Sequence, residues 1–147
     1  MNYGRLVGAA AAATFVDSVY GFLVYGMVMK SEFERYPLIY RPEDVGPSYL
    51  PLMFAGIFVA MCVVTAIYAK GYEGGSGAVE GARFGVLFGL FAIFFYAGVN
   101  YATMNIGRKL AVMYAAAGFV EWILAGTVIG VTYKPAVTAS PRRSVGV

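Results

Sequence analysis

The amino-acid sequence predicts an all-α integral membrane protein, a four-transmembrane-helix bundle with antiparallel neighbours. Three observations predict it. Hydrophobic residues make up 60% of the 147-residue chain, well above the roughly 45–50% of soluble domains. They fall into four runs, 6–29, 50–69, 82–104 and 109–133, each reaching the ~20 residues that a helix needs to cross ~30 Å of hydrocarbon. No run alternates with period two, so the segments do not read as barrel strands; a helix pairs every backbone amide within its own segment. These runs define a transmembrane domain over 1–134, followed by a polar tail over 135–147.

The first run follows Arg5 and carries Asp17 near its centre. It is longer than the apolar stretch of a secretory signal and is expected to be a retained helix. The connection over 30–49 mixes Glu32, Glu34, Arg35, Arg41, Glu43 and Asp44 with Phe33, Tyr36, Leu38, Ile39, Tyr40 and three prolines. Such a segment is expected along the membrane interface, its rings at headgroup depth. It serves there as a tether, or as a lid or docking surface. The second run holds Cys62, the only cysteine, which excludes an intrachain disulfide and reads as small apolar filler.

Glycines 71, 74, 75, 77 and 81 crowd the next connection. Gly75-Ser-Gly77 has the look of a phosphate-cradling turn, but a dinucleotide fingerprint needs a preceding strand, and here a membrane helix precedes it. A hinge is the expected role. The third run opens with Gly81, Gly85 and Gly89 at four-residue spacing, a flat strip suited to close helix packing. Residues 105–109 form a short turn that makes helices three and four neighbours. The fourth run carries Glu121 near its middle, with Gly118 beside it as a further packing position.

An even number of crossings puts both ends and the middle connection on one side. Arg5, Lys70, Arg83, Lys134, Arg142 and Arg143 fall on that side, against Lys30, Arg35, Arg41, Arg108 and Lys109 on the other. The bias places both termini in the cytoplasm.

The net charge of +3 is spread over segment ends and forms no basic face, which argues against nucleic acid. There is no histidine, so the commonest metal ligand is missing and no metal or cofactor is expected. Cys–His, Ser–His and cofactor motifs are missing too, and the chain reads as non-enzymatic.

The polar residues inside the runs are the candidate sites. A carboxylate at mid-membrane costs ~2.5–3.5 kcal/mol on insertion scales, so Asp17 and Glu121 are expected to face other helices. Thr14 and Tyr20 share the face of Asp17. Asn100, with Tyr96 and Thr103 on its face, lies nearer the end of helix three. These residues serve either proton handling or interhelical hydrogen bonding. Ala11-Ala-Ala-Thr-Phe-Val-Asp17 also parallels Ala115-Ala-Ala-Gly-Phe-Val-Glu121, the pattern of an inverted repeat that would bring the two acids together.

Gly85-Val-Leu-Phe-Gly89 followed by Tyr96-Ala-Gly-Val-Asn100-Tyr-Ala-Thr103 resembles Gly-Ala-Leu-Phe-Gly and Tyr-Asp-Leu-Thr-Asn-Leu-Ala-Thr of the domain of unknown function 2177 family, small four-span bacterial membrane proteins. Asp17 with Tyr20 is similar to that family's Asp-x-x-Trp, and Glu121 to its Asp-x-x-Trp-Gly. Ala97 replaces a family acid, and Leu124 and Ala125 replace Trp-Gly. The resemblance implies four spans in a bacterial inner membrane and, of three family acids, two kept. It implies no activity.

The function expected from these readings is an accessory or scaffold subunit, packed within the bilayer against other membrane subunits or copies of itself. The alternative is a small proton- or cation-coupled carrier that uses the mid-membrane carboxylates.

Overall fold

The structure, a computed structural model, describes residues 2–42 and 44–133. Glu43, Lys134 and the expected tail over 135–147 lie outside the described residues. Four long helices, Tyr3–Val28, Gly46–Gly71, Gly77–Thr103 and Arg108–Thr132, have the length and apolarity to cross a membrane. They are the first to fourth helices below. A short helix, Lys30–Phe33, follows the first, and no strand occurs among the described residues.

Local chemistry explains three of the four starts. The Asn2 side chain accepts a hydrogen bond from the Arg5 amide at 3.1 Å and caps the first helix. The second begins earlier than its apolar run, through a 3₁₀ turn over Gly46–Tyr49 with Pro47 in its opening positions. The third begins at Gly77 and not at 82, because Glu80 anchors a first turn that hydropathy does not mark. Its carboxylate accepts from the backbone amides of Glu73 and Gly75, wrapping the connection around the helix start. Gly74 there has φ +88°, a conformation that favours glycine. Glu80→Ala is expected to speed amide hydrogen exchange at Glu73 and Gly75 about tenfold or more, leaving amides of the second helix unchanged.

The fourth helix is the hub. It packs most extensively along the third and also along the first, which in turn packs on the second. The second and third helices are consecutive in sequence yet make no extended contact; they meet through side chains such as Tyr68 and Phe84, with ring centroids 5.3 Å apart. The physical reason lies in the third–fourth seam. Gly77 lies against Gly130, Gly81 against Gly126 and Gly130, Gly85 against the Trp122 carbonyl, and Gly89 against Phe119. Numbers rise on one helix as they fall on the other. The expected strip of Gly81, Gly85 and Gly89 is therefore half of a two-sided seam, completed by Gly126 and Gly130. Gly118 does not belong to it: a methyl group there would meet no atom within 4 Å. Its missing side chain leaves open space, which corrects the packing role expected for it.

Two apolar clusters fill the ends. Ala9, Ala10 and Ala13 pack with Met61, Val64, Ala125 and Ile129 at one end. Met29, Ile106, Leu110 and Ala117 form the other, beneath the 30–40 segment. The first and third helices both widen into π winding in this second half, over Val24–Val28 and Ala92–Gly98. Such π turns are rare and mark functional positions more often than chance.

Candidate functional site: a carboxyl pair between two cavities

Asp17 and Glu121 come together where the first helix crosses the fourth. Ala13 on one and Ala117 and Ala125 on the other are buried, and these small side chains let the two backbones approach. The two carboxyl groups border one cavity together. Tyr25 donates its hydroxyl to Glu121 Oε2 at 2.7 Å. Tyr20 donates to the Ala117 carbonyl at 2.9 Å, and its ring stands edge-on to Tyr25 with centroids 6.4 Å apart. Asp17 and Glu121 are both half-buried.

Two cavities converge on this cluster. One, of about 560 Å³, lies between the first and second helices and is bordered by Asp17, Gly21, Phe54 and Glu121. The other, of about 580 Å³, lies between the first, third and fourth helices. Its walls are aromatic: Tyr96 from the π segment of the third helix, and Tyr114 and Trp122 from the fourth. Glu121 and Tyr25 border both cavities. Gly118 lines the second, which accounts for the empty space over its Cα. A third, separate hollow, about 540 Å³, lies on the outer side of Tyr25, Phe33 and Tyr40 and is bordered by Lys30, Glu34 and Arg41.

The 30–40 segment borders the outer end of the aromatic cavity. Phe33 and Tyr40 form its roof, with ring centroids 4.9 Å apart. The Tyr40 and Tyr114 hydroxyls lie 3.1 Å from each other. Tyr36 accepts from the Gly107 amide at 2.9 Å. Glu32 is only 3% exposed; it receives the Lys109 ammonium and has the Arg35 guanidinium at 3.7 Å. The hydrogen bond from Lys109, helped by the charge of Arg35, holds the Glu32 carboxyl below its ordinary value of 4.5. A lowered folded value means that the contact stabilises the closed segment above the unfolded value and loses that contribution as pH falls through the lowered one. Exchange at the Gly107 amide, corrected for its intrinsic rate, is therefore expected to stay flat down to about pH 4.5 and to rise below it. Glu32→Gln should remove that pH dependence.

The sequence-predicted residues divide clearly. Asp17, Glu121 and Tyr20 meet, and the Tyr96 ring stands in the adjoining cavity, edge-on to Tyr114 at 6.2 Å. Thr14 and Thr103 spend their hydroxyls on their own helices, donating to Ala10 and Val99 carbonyls at 2.8 Å. Asn100 is half-buried but lines neither inner cavity. Tyr25, Tyr114 and Trp122 are not among the expected residues, and Tyr40 is expected only as an interfacial ring. A signal for the first three is present: Asp17, Gly21 and Tyr25 recur every four residues, as do Tyr114, Gly118 and Trp122.

Among the described residues no group of three His, Cys, Asp or Glu is placed to hold a metal ion. Compared with family models, curated proteins and solved structures, the chain matches none.

Proposed function

We propose that this chain is a non-enzymatic multi-pass membrane protein working as a small proton-coupled carrier, with the Asp17–Glu121 pair as its proton site. One observation carries the reading. Glu121, which accepts from Tyr25 and borders one cavity together with Asp17, also borders the second. No lysine or arginine borders either cavity, so two acids side by side there call for a proton to offset their charge. A cation arriving at Glu121 competes for the same oxygens, and that competition is what couples a proton to a cargo. The accessory or scaffold subunit suggested by the sequence explains the small extramembrane mass, but not two cavities converging on one acid.

The order of glycine contacts supports antiparallel third and fourth helices. With four crossings, the charge bias then supports cytoplasmic termini, and the resemblance to the domain of unknown function 2177 family supports a bacterial inner membrane. Four helices are few for alternating access, so a second copy of the chain is the expected partner.

The test is gradient dissipation. Membrane vesicles containing the chain are given an acidic lumen, reported by a trapped pH dye, and Na⁺, K⁺, choline or tetraphenylphosphonium is added outside. The expected result is that at least one cation drains the gradient with the wild type and not with Asp17→Asn. If none does, and the chain instead co-purifies stoichiometrically with a larger complex, the carrier reading falls and the accessory subunit replaces it.

A further inference from the structure

The aromatic cavity has a composition that selects a ligand. Of its fourteen bordering residues Glu121 alone carries an acid or a base, and no lysine or arginine is among them. The remaining lining is rings and small apolar groups, including Phe95 and Tyr96 on the π segment and Phe88 tilted against Trp122 at 5.2 Å. An acid at one point of a ring-lined chamber is complementary to a positive charge: the carboxylate supplies attraction and the ring faces add cation–π stabilisation. The volume, about 580 Å³, is in the range of sites for small organic molecules. An inorganic cation would leave most of it unfilled and would find too few oxygens for its coordination.

We infer that this cavity binds an amphipathic organic cation, an amine or quaternary ammonium with an aromatic or alkyl body, whose charge sits at Glu121 and whose body fills the ring-lined space. Depth favours a free cation over the ammonium headgroup of a lipid. Glu121 lies near the middle of Arg108–Thr132, roughly 16–20 Å of helix from either end, beyond the headgroup layer. The first and third helices make no extended contact beside the cavity, so it opens sideways between them, the route by which an apolar cation dissolved in the bilayer would arrive. The roof of Phe33 and Tyr40, fastened through Tyr114, Gly107 and Lys109, closes the other approach.

The inference names the cargo class for the carrier reading, but its test does not depend on transport. Trp122 is the only tryptophan in the chain and stands in the cavity wall, so its emission reports occupancy. The full chain in dodecyl maltoside micelles is titrated with tetraphenylphosphonium and, separately, with tetraphenylborate, which has the same shape and the opposite charge. We expect saturable quenching by the cation and none by the anion. Glu121→Gln should weaken cation binding at least tenfold. Gly118→Leu fills the chamber while keeping the Glu121 carboxyl in the chain and should abolish binding, which keeps the test decisive if Glu121→Gln fails to fold. Equal quenching by the anion, no saturation, or unchanged affinity in Gly118→Leu overturns the assignment. So does competition by added short-chain phosphatidylcholine, which would give the site to a lipid headgroup. Binding without gradient dissipation would keep the site and retire the carrier; dissipation by Na⁺ or K⁺ without binding would do the opposite.

Discussion

Gly130→Ala should destabilise the folded chain by about 3 kcal/mol, the upper end of the range for overpacking, while Gly118→Ala on the same helix should change stability by less than about 0.5 kcal/mol. The two substitutions add the same methyl group to the same kind of backbone. At Gly130 the new atom would press on the Gly77 carbonyl and the Gly81 Cα. Neither neighbour can turn aside as a side chain would, so the third helix must move away along its length. At Gly118 the methyl enters a cavity and meets nothing. The measurement is the folded fraction across a titration of mixed micelles with dodecyl sulfate. Equal midpoints for the two variants would remove the seam as the source of third–fourth association. Without a hydrophobic driving force between helices in lipid, this close backbone contact is what holds that pair together.

The second large effect is coupling within the acid cluster. Asp17→Leu removes the polar neighbour of Glu121 and should cost roughly 2 kcal/mol, because a part-buried acid is left facing an apolar side chain that cannot pair with it. Glu121→Leu strands Asp17 and the Tyr25 hydroxyl together, and should cost as much or more. Combining the two substitutions removes both stranded carboxyls at once. The double variant is therefore expected to be more stable than the sum of the singles predicts, by about 1–2 kcal/mol. The same titration reads all four corners of the cycle. Strict additivity would mean that the two carboxyls do not interact.

Much of this arrangement is legible in the sequence, and the part that is not has a definite cause. Asp17 and Glu121 announce themselves because charge in an apolar run is costly, and their alanine and glycine neighbours mark a close crossing. The strip of Gly81, Gly85 and Gly89 is equally plain. Its partner on the fourth helix is not, since Gly126 and Gly130 sit among alanines and valines that look like ordinary bulk. The start of the third helix is hidden because hydropathy cannot see that Glu80 folds back on Glu73 and Gly75. Asn100 misleads for a related reason. A polar residue on an apolar helix draws notice wherever it points, and the turn of π winding before it changes the face on which it lies. Tyr25 and Tyr114 are missed because tyrosine is abundant here, with twelve in the chain, and spacing alone does not say which of them meets an acid and which meets another ring.

The π winding over Ala92–Gly98 makes the chamber vulnerable to a one-residue deletion. Such a segment carries a surplus residue relative to regular α winding. Excising one residue, such as the exposed Phe94, would let the backbone relax to 3.6 residues per turn, removing the widened turn while keeping the downstream face nearly where it was. The Phe95 and Tyr96 rings would shift in the wall, whereas residues 105–107 would still reach the 30–40 segment. A single codon gap would then reshape the pocket with the glycine seam upstream and the turn downstream left intact.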